Sequence, residues 1–525
     1  HAGKVEERAG LACRYGYGCG HHHQDNLNLE FWAHNAPLAP ELGYPCWAHP
    51  LGATGHVAHH NTGMIDRSPQ YNGGTAHGTL ELFAGAPEAS FADISADPGG
   101  FAARVYRRAV CLVDAPAGNV YVFDLLRLAG GRTRTYCFHG PAHRDFQSNL
   151  AFGPRQGEAF DVKSMSRRLN NNLVEPQEAR SDGDVWADWL YEKADVHLRL
   201  KLLGQPGRSF TTARYGKPDA PPIRFLFPED ERDDGASEFV AFWEPYQGRP
   251  FIEKIERLAV TPDGQPGGPA PEFAPVAVRV TCAGGQVDTL LYTSAPAVSL
   301  RCGDLEFQGS FGYWSERDGR LRCLHLVNGT RLLKGGVGVT QAQPAQRLKI
   351  VSLDLVESIV TLDALLPVGD MLAGRMLFLR GGKHRTAWRI VEVLPPGNRV
   401  RLQCNSILFR SRLDAVSADG TTVTTELAPP IELTRGIKPG YYDGALVTDE
   451  SRRARYRVAQ VREGKIVLDR PCRRADFVDA DQDGRQMLFI YDHGEGDEAV
   501  LHNHVFLRLE GDRMRQQGEA TLRGL

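Results

Sequence analysis

The 525 residues contain no run of about 18 apolar side chains, so no membrane-spanning helix is readable. Cysteine is sparse: there are ten in all, and none falls in a CxxC pair, which argues against a thiolate zinc site. Cys13 with Cys19, or Cys111 with Cys137, have spacings that permit pairing in an oxidising compartment; isolated small core residues are the plainer alternative. An excess of one charge is also missing. The net charge is −3, which gives no electrostatic case for nucleic acid, and a polyanion would have to be held by a local basic cleft. The chain opens HAGKVEERAG, without an initiator Met and without the apolar stretch of a signal peptide. A processed chain and a portion of a longer one are both compatible with that opening.

Apolar residues at 42% and charged residues at 24% are ordinary for a globular protein, and the length allows two or three domains. Strand-like runs dominate, such as TLELF at 79–83, VYVFDL at 120–125, VHLRLKLL at 196–203, VAVRVT at 276–281 and KIVSLDL at 349–355. They alternate or are uniformly apolar, carry β-branched residues and are bounded by Gly, Pro, Asp and Asn. Only short stretches such as 185–194 read as helical. The pattern predicts an all-β chain: a large antiparallel β-sandwich over 1–340, then a smaller β-rich module over 341–525. The Pro/Gly-rich stretch 261–274 reads as a surface loop or a boundary between sheet segments. Within the module an uneven repeat is visible. Gly374-Arg-Met-Leu-Phe-Leu precedes Trp388-Arg-Ile-Val-Glu-Val, Gly444-Ala-Leu-Val precedes Tyr456-Arg-Val-Ala-Gln-Val, and Gly484-Arg-Gln-Met-Leu-Phe-Ile resembles the first opening. Such repetition suggests stacked hairpins.

Ten of the 18 histidines lie in the first 77 residues. The densest part is Gly20-His21-His22-His23-Gln24-Asp25-Asn26, followed by the strand-like LNLEFW. On an extended segment His21 and His23 share a face, and His22 points the other way. Downstream come Glu41 and then His59-His60-Asn61-Thr62. Imidazoles with one carboxylate suit Zn2+. The plain alternative is a solvated or purely structural histidine cluster. A calcium loop is only half matched at Asp479-Ala-Asp481-Gln-Asp483-Gly484, because Ile490 occupies the place of the closing acid; a plain acidic turn reads better.

In order, Gly20-His21-x-His23-x-Asp25-Asn26, then Leu38-x-x-Glu41-x-Gly43-Tyr44, then His60-Asn61-Thr62-x-x-Ile65-Asp66-x-x-x-Gln70 resemble the opening of the central β-domain of heparinase II/III-type polysaccharide lyases. The resemblance covers about 13–145, more loosely through Asp124 and Tyr136–His139. It implies a structural Zn2+ held by His23, Glu41 and His60, with Glu41 standing where the family more often has Asp. His59 competes with His60, and the following Asn-Thr favours His60. It implies that His21 faces the cleft as a base or charge-neutralising residue, that Tyr44 is the nearest candidate for a catalytic tyrosine, and that Asn26 and Gln70 lie toward substrate. The implied reaction is β-elimination on a uronic-acid polysaccharide, with removal of the C5 proton and loss of the O4 leaving group. The implied compartment is secreted or periplasmic, and an oligomer is allowed. The family's α/α-toroid has no counterpart in these residues, so the resemblance implies that it comes from a longer product or another polypeptide, without which the chain would be inactive. Two other classes compete: a metal-dependent hydrolase, since HxHxD also opens the metallo-β-lactamase motif although Asn26 stands where that motif needs His, and a non-catalytic carbohydrate-binding β-protein.

Overall fold

The computed structural model describes residues 9–15, 23–43, 49–52, 54–70, 77–97, 103–141, 146–155, 160, 162, 172–263, 272–430, 440–480, 482–510 and 513–524. The architecture is all-β, and among the described residues the helical pieces are single 3-10 turns such as Val57–His59 and Pro116–Gly118. The chain divides into two compact units, one running to Pro344 and resuming at Asn503, the other formed by Ala345–His502. The second unit therefore starts close to the expected position 341, but it ends earlier than 525. The reason is visible in the pairing: His504–Glu510 lies antiparallel to Arg320–Val327 and so belongs to the first unit.

The first unit is a stack of antiparallel sheets of seven, eight, seven and six strands, with a three-stranded sheet, Gly10–Cys13, Leu29–Ala33 and Ala36–Ala39, beside them. Its middle is the eight-stranded sheet, and the strand Val120–Ala129 explains why. All ten of its residues are buried. Val122, Leu126 and Leu128 face one core, with Trp189 and Trp243, whereas Tyr121, Phe123 and Leu125 face a second core, with Tyr292 and Phe311. A strand covered on both faces needs no polar alternation, which is why VYVFDLLRLA is apolar at eight of its ten positions, only Asp124 and Arg127 being charged.

The stretch 185–194, read as helical from sequence, is instead a hairpin arm. Val185–Tyr191 pairs along its whole length with Val196–Leu202. Val185, Ala187 and Trp189 enter the core at a spacing of two, the period of a strand. Cys111 and Cys137, candidates for a disulfide, are both free and buried; Cys13 is free as well, and Cys19 lies outside the described residues. Most of 261–274 also lies outside them.

The second unit holds two closed six-stranded barrels rather than stacked hairpins. The first is Ala345–Asp354, Ile359–Leu362, Met376–Gly381, His384–Leu394, Arg399–Leu402 and Glu498–His502; the second is Ile407–Val416, Thr422–Thr425, Leu446–Asp449, Tyr456–Arg462, Lys465–Leu468 and Met487–Tyr491. Taken in chain order, both barrels follow the same spatial path, one-two-five-four-three-six. Both also break register in the same two hairpins, at Ile350/Ser352 and Ile390/Glu392 in one and at Leu413/Ala415 and Val458/Gln460 in the other. Such bulges bend a strand and let a small sheet close. Gly374 and Gly444 lead into the third strand of each barrel at positive φ, 83° and 79°, so the repeated glycine marks one required turn. Gly484 does not open a third copy; it leads into the strand that closes the second barrel. Asp479 accepts hydrogen bonds from the amides of Asp483 (3.2 Å) and Gly484 (2.8 Å), the geometry of an acidic turn.

His325 lies fully buried, with Nδ1 2.9 Å from the Ala89 carbonyl. Burial holds its pKa down at about 4, against an ordinary 6.5. Unfolded chains therefore bind a proton that the folded chain refuses, and this group's contribution to stability falls as pH drops from about 6.5 to 4, by at most about 3 kcal/mol. Melting curves over that window should show His325→Phe losing less of its stability on acidification than the parent; equal slopes would remove His325 from the account.

Candidate metal centre

The residues singled out near the start of the chain are brought together by three short segments. His23 precedes a tight turn, 25–28, closed by the Asn28 amide on the Asp25 carbonyl (2.9 Å). Leu27 sits there at φ 58°. Glu41 follows Ala36–Ala39, the edge strand of the three-stranded sheet. His60 caps the 3-10 turn Val57–His59, its amide donating to the Val57 carbonyl at 3.2 Å. The three side chains meet: His23 Nδ1 lies 2.9 Å from Glu41 Oε1, His60 Nδ1 lies 3.1 Å from Glu41 Oε2, and the two imidazole centroids are 5.2 Å apart. Asn28 Nδ2 donates to Glu41 Oε2 at 3.4 Å.

His60 is 1% exposed and His23 8%, while the Glu41 side chain keeps 24% of its surface, so the cluster is open on the glutamate side. Burial alone would raise the Glu41 carboxyl, but the charge of His60 and hydrogen bonds from His23 and His60 outweigh it and hold that carboxyl far below its usual range. Burial likewise acts to lower His60, and the charge and hydrogen bond of Glu41 reverse this and raise it. Asp25 stands close by, ion-paired with Arg14, its own carboxyl raised by burial.

Two imidazoles and a carboxylate offer one ligand atom each, all within 4.8 Å of one another, and no other such group of three exists among the described residues. Nε2 of His60 is buried without a hydrogen-bond partner among the described residues. This donor set, with an orphaned ring nitrogen and an open side, fits a zinc-type cation. His59 does not compete. Its ring lies edge-on to Tyr215 at 5.3 Å and against Phe225 at 5.6 Å, in a separate aromatic core. His21 and Tyr44 lie outside the described residues.

Asn26 and Gln70, expected toward substrate, hold each other instead. The Asn26 amide donates to Gln70 Oε1 at 2.7 Å, Gln70 Nε2 donates to the Asn26 carbonyl at 3.2 Å, and both residues are nearly inaccessible at 3% and 1%. Burial with its amide already satisfied makes Gln70 a fastener of the 23–28 turn. Tyr106 completes that knot: its hydroxyl accepts from Gln70 Nε2 at 2.8 Å and stands 2.9 Å from the Gly63 carbonyl and 2.8 Å from Thr62 Oγ1. Tyr106→Phe leaves several buried polar groups short of a partner and should cost about 1–3 kcal/mol, read from the urea midpoint; an unchanged midpoint would show the hydroxyl to be dispensable.

Sequence reasoning missed the group that anchors both histidine segments. Arg108 is fully buried and forms a two-pronged pair with Asp124, Nε to Oδ1 at 2.7 Å and Nη2 to Oδ2 at 2.6 Å. Its Nη1 donates to the carbonyls of Leu27 (2.7 Å) and Asn61 (2.5 Å), one on each histidine-bearing segment. Tyr136 donates to Asp124 Oδ2 at 2.6 Å, and Trp243 Nε1 to the Tyr136 oxygen at 3.0 Å. Asn61 adds a second tie, its Oδ1 accepting the His139 amide at 2.8 Å while its own amide donates to Asn28 Oδ1 at 2.8 Å. One signal was available: Asp124 is the lone acid in an apolar strand, and a buried acid needs a buried base.

No family model and no curated protein matches the chain. Among solved structures it is similar to the heparan sulfate lyase HepC from Pedobacter heparinus, with 13% identity and a TM-score of 0.34 over 52% of this chain and 38% of that one. It is also similar to a heparinase III gene product (15%, TM-score 0.36, 54% and 38%) and to a further heparinase III structure (15%, TM-score 0.30, 52% and 36%). The chain thus spans 36% to 38% of the length of these three structures.

Proposed function

We propose that this chain is the β-rich part of a polysaccharide lyase that cleaves a uronic-acid polymer by β-elimination, and that His23, Glu41 and His60 hold a structural Zn2+. The observation that carries the reading is the meeting of those three side chains, from segments 18 and 19 residues apart, around the open carboxylate of Glu41. It is joined by the order of the GHxHxDN, LxxExGY and HNT segments in the sequence.

When bound, the cation supplies fixed positive charge that ties the 23–28 turn to His60. The protein does the rest. To His21, two residues before His23 in the sequence, we assign neutralisation of the uronate carboxylate or acceptance of the C5 proton. Tyr44, three residues after Glu41, is the candidate to protonate the departing O4. The C5 proton is weakly acidic because it lies α to a carboxylate, so charge neutralisation there is the larger requirement. Asn26 and Gln70 keep the turn in place from beneath. A toroid-type helical partner, in the same product or another, would supply the opposite wall, and secretion or periplasmic export matches an extracellular polymer.

The test is a panel of uronic-acid polymers offered to the complete gene product, watching for the absorbance of an unsaturated uronate. New absorbance on one polymer, reduced at least ten-fold by His21→Ala, supports the reading. New reducing ends without absorbance make the protein a hydrolase, and binding without cleavage of any polymer makes it a carbohydrate-binding protein.

A further inference from the structure

Away from the histidine centre, the first unit has a cavity of about 740 Å3 whose lining includes Pro87, Glu88, Asp114, Phe506, Arg508 and Arg515. It is built from different elements: the connection before Ala89–Asp97, the end of Val105–Asp114, and the last two strands of a seven-stranded sheet, His504–Glu510 and Arg513–Gln517. In those two strands Arg508 stands directly opposite Arg515, and Phe506 opposite Gln517. Phe506 is 3% exposed and packs into the core between sheets. Residues two apart on a strand share a face, so Arg508 continues that inward face beyond the end of the core, and its cross-strand neighbour Arg515 points the same way. Two arginine side chains thus leave the same face of the sheet at the rim of a cavity.

Facing them is a carboxylate in an unusual position. Glu88 is 2% exposed and ion-paired with Arg508. The Asp114 amide donates to the Glu88 carbonyl at 2.9 Å, which brings the second acid to the same wall. Burial pushes both carboxyls above their ordinary range, and the charges of Arg322 and Arg508 act against that push.

We infer that this groove is a second ligand site, taking an acidic sugar unit of about disaccharide size. Guanidinium groups match a carboxylate or sulfate through parallel N–H donors. Glu88, Asp114 and the amide of Gln517 match sugar hydroxyls, and Pro87 offers an apolar surface to a ring. The volume lies within the range of small-ligand clefts. A nucleotide fits less well, because Phe506 is sealed in the core and presents no open aromatic face for a base. The inference shares with the lyase reading only the chemistry of the ligand. A groove on elements separate from the histidine centre would keep a polymer attached between cleavage events.

The experiment is calorimetric titration of the full chain with three probes: a uronate disaccharide, a neutral disaccharide of the same size, and inorganic sulfate. The uronate disaccharide should bind saturably, and Arg515→Ala, on an exposed edge strand, should weaken it about ten-fold or more. Glu88→Gln supplies an independent variant on the opposite wall and should alter affinity for the disaccharide while leaving the far-ultraviolet circular dichroism unchanged. The inference is overturned if the acidic disaccharide does not bind, if it binds equally to Arg515→Ala and Glu88→Gln, or if sulfate alone binds as tightly, which would make this an inorganic-anion site. Elimination is scored separately. A chain that binds through Arg515 but eliminates nothing loses the lyase reading alone, and one that eliminates but binds independently of Arg515 loses the groove alone.

Discussion

Arg108→Met should destabilise the first unit by about 3–5 kcal/mol, because it strands the Asp124 carboxylate in a fully buried site. Tyr136 would remain as its hydrogen-bond donor, too little for a charge taken out of water. The same change frees the carbonyls of Leu27 and Asn61, so the turn after His23 and the segment after His60 lose their common anchor. Two readouts follow: a lower denaturation midpoint, and weaker metal retention although no ligand has been touched. Converting both partners, Arg108→Met with Asp124→Leu, removes the stranded charge and should recover a good part of the stability. It should not recover the tie between the two segments, so metal retention should stay poor. If the double variant is as unstable as the single, or if the single variant keeps its metal, the clamp is not acting as described.

His60→Ala should abolish zinc binding. The parent chain should carry about one zinc per chain by elemental analysis and His60→Ala close to none, with Glu41→Gln between them because the amide keeps the shape but not the charge. For metal present at about 100 times its dissociation constant, linkage stabilises the folded chain by about 2.7 kcal/mol, or about 3–4 °C in Tm for a unit of this size. A chelator should therefore lower the Tm of the parent by about that much and leave His60→Ala unmoved. Equal zinc content in parent and variant, or a Tm indifferent to chelation in both, would remove the metal from this site.

Both expectations start from residues that differ in how visible they are in the sequence. That His23, Glu41 and His60 lie together was legible, because each sits in a short segment with its own pattern and His60 is separated from His59 by the Asn-Thr that follows. The all-β class was legible too, from strand-length runs between turn residues. Arg108 was not, since an arginine beside another arginine in RRAVCLV reads as a solvated face. Its burial depends on Asp124, which reaches it only once two long strands pair in the right register. Gln70 and Asn26 misled for a related reason: polar side chains near a proposed cleft suggest ligand contact, but in a tight turn their first call is on one another. The segment 185–194 failed because its closing Leu-Tyr-Glu-Lys-Ala suits a helix, while the alternate burial of Val185, Ala187 and Trp189 that makes Val185–Tyr191 a strand depends on its pairing partner. The repeat in the second unit was visible as sequence, yet hairpins and closed barrels share the same local pattern. Closure depends on which distant strand returns, and no local signal encodes that.

The way the two barrels are threaded has a consequence for how the chain comes off the ribosome. Five strands of the first barrel end at Leu402, its sixth does not begin until Glu498, and all six strands of the second barrel lie between them. The later barrel is thus complete while the earlier one is still an open sheet, with Ala345–Asp354 and Met376–Gly381 both awaiting the missing partner between them. During translation that pair of unsatisfied edges is open to pairing with other chains, and it is sealed only when the last few residues of the unit emerge.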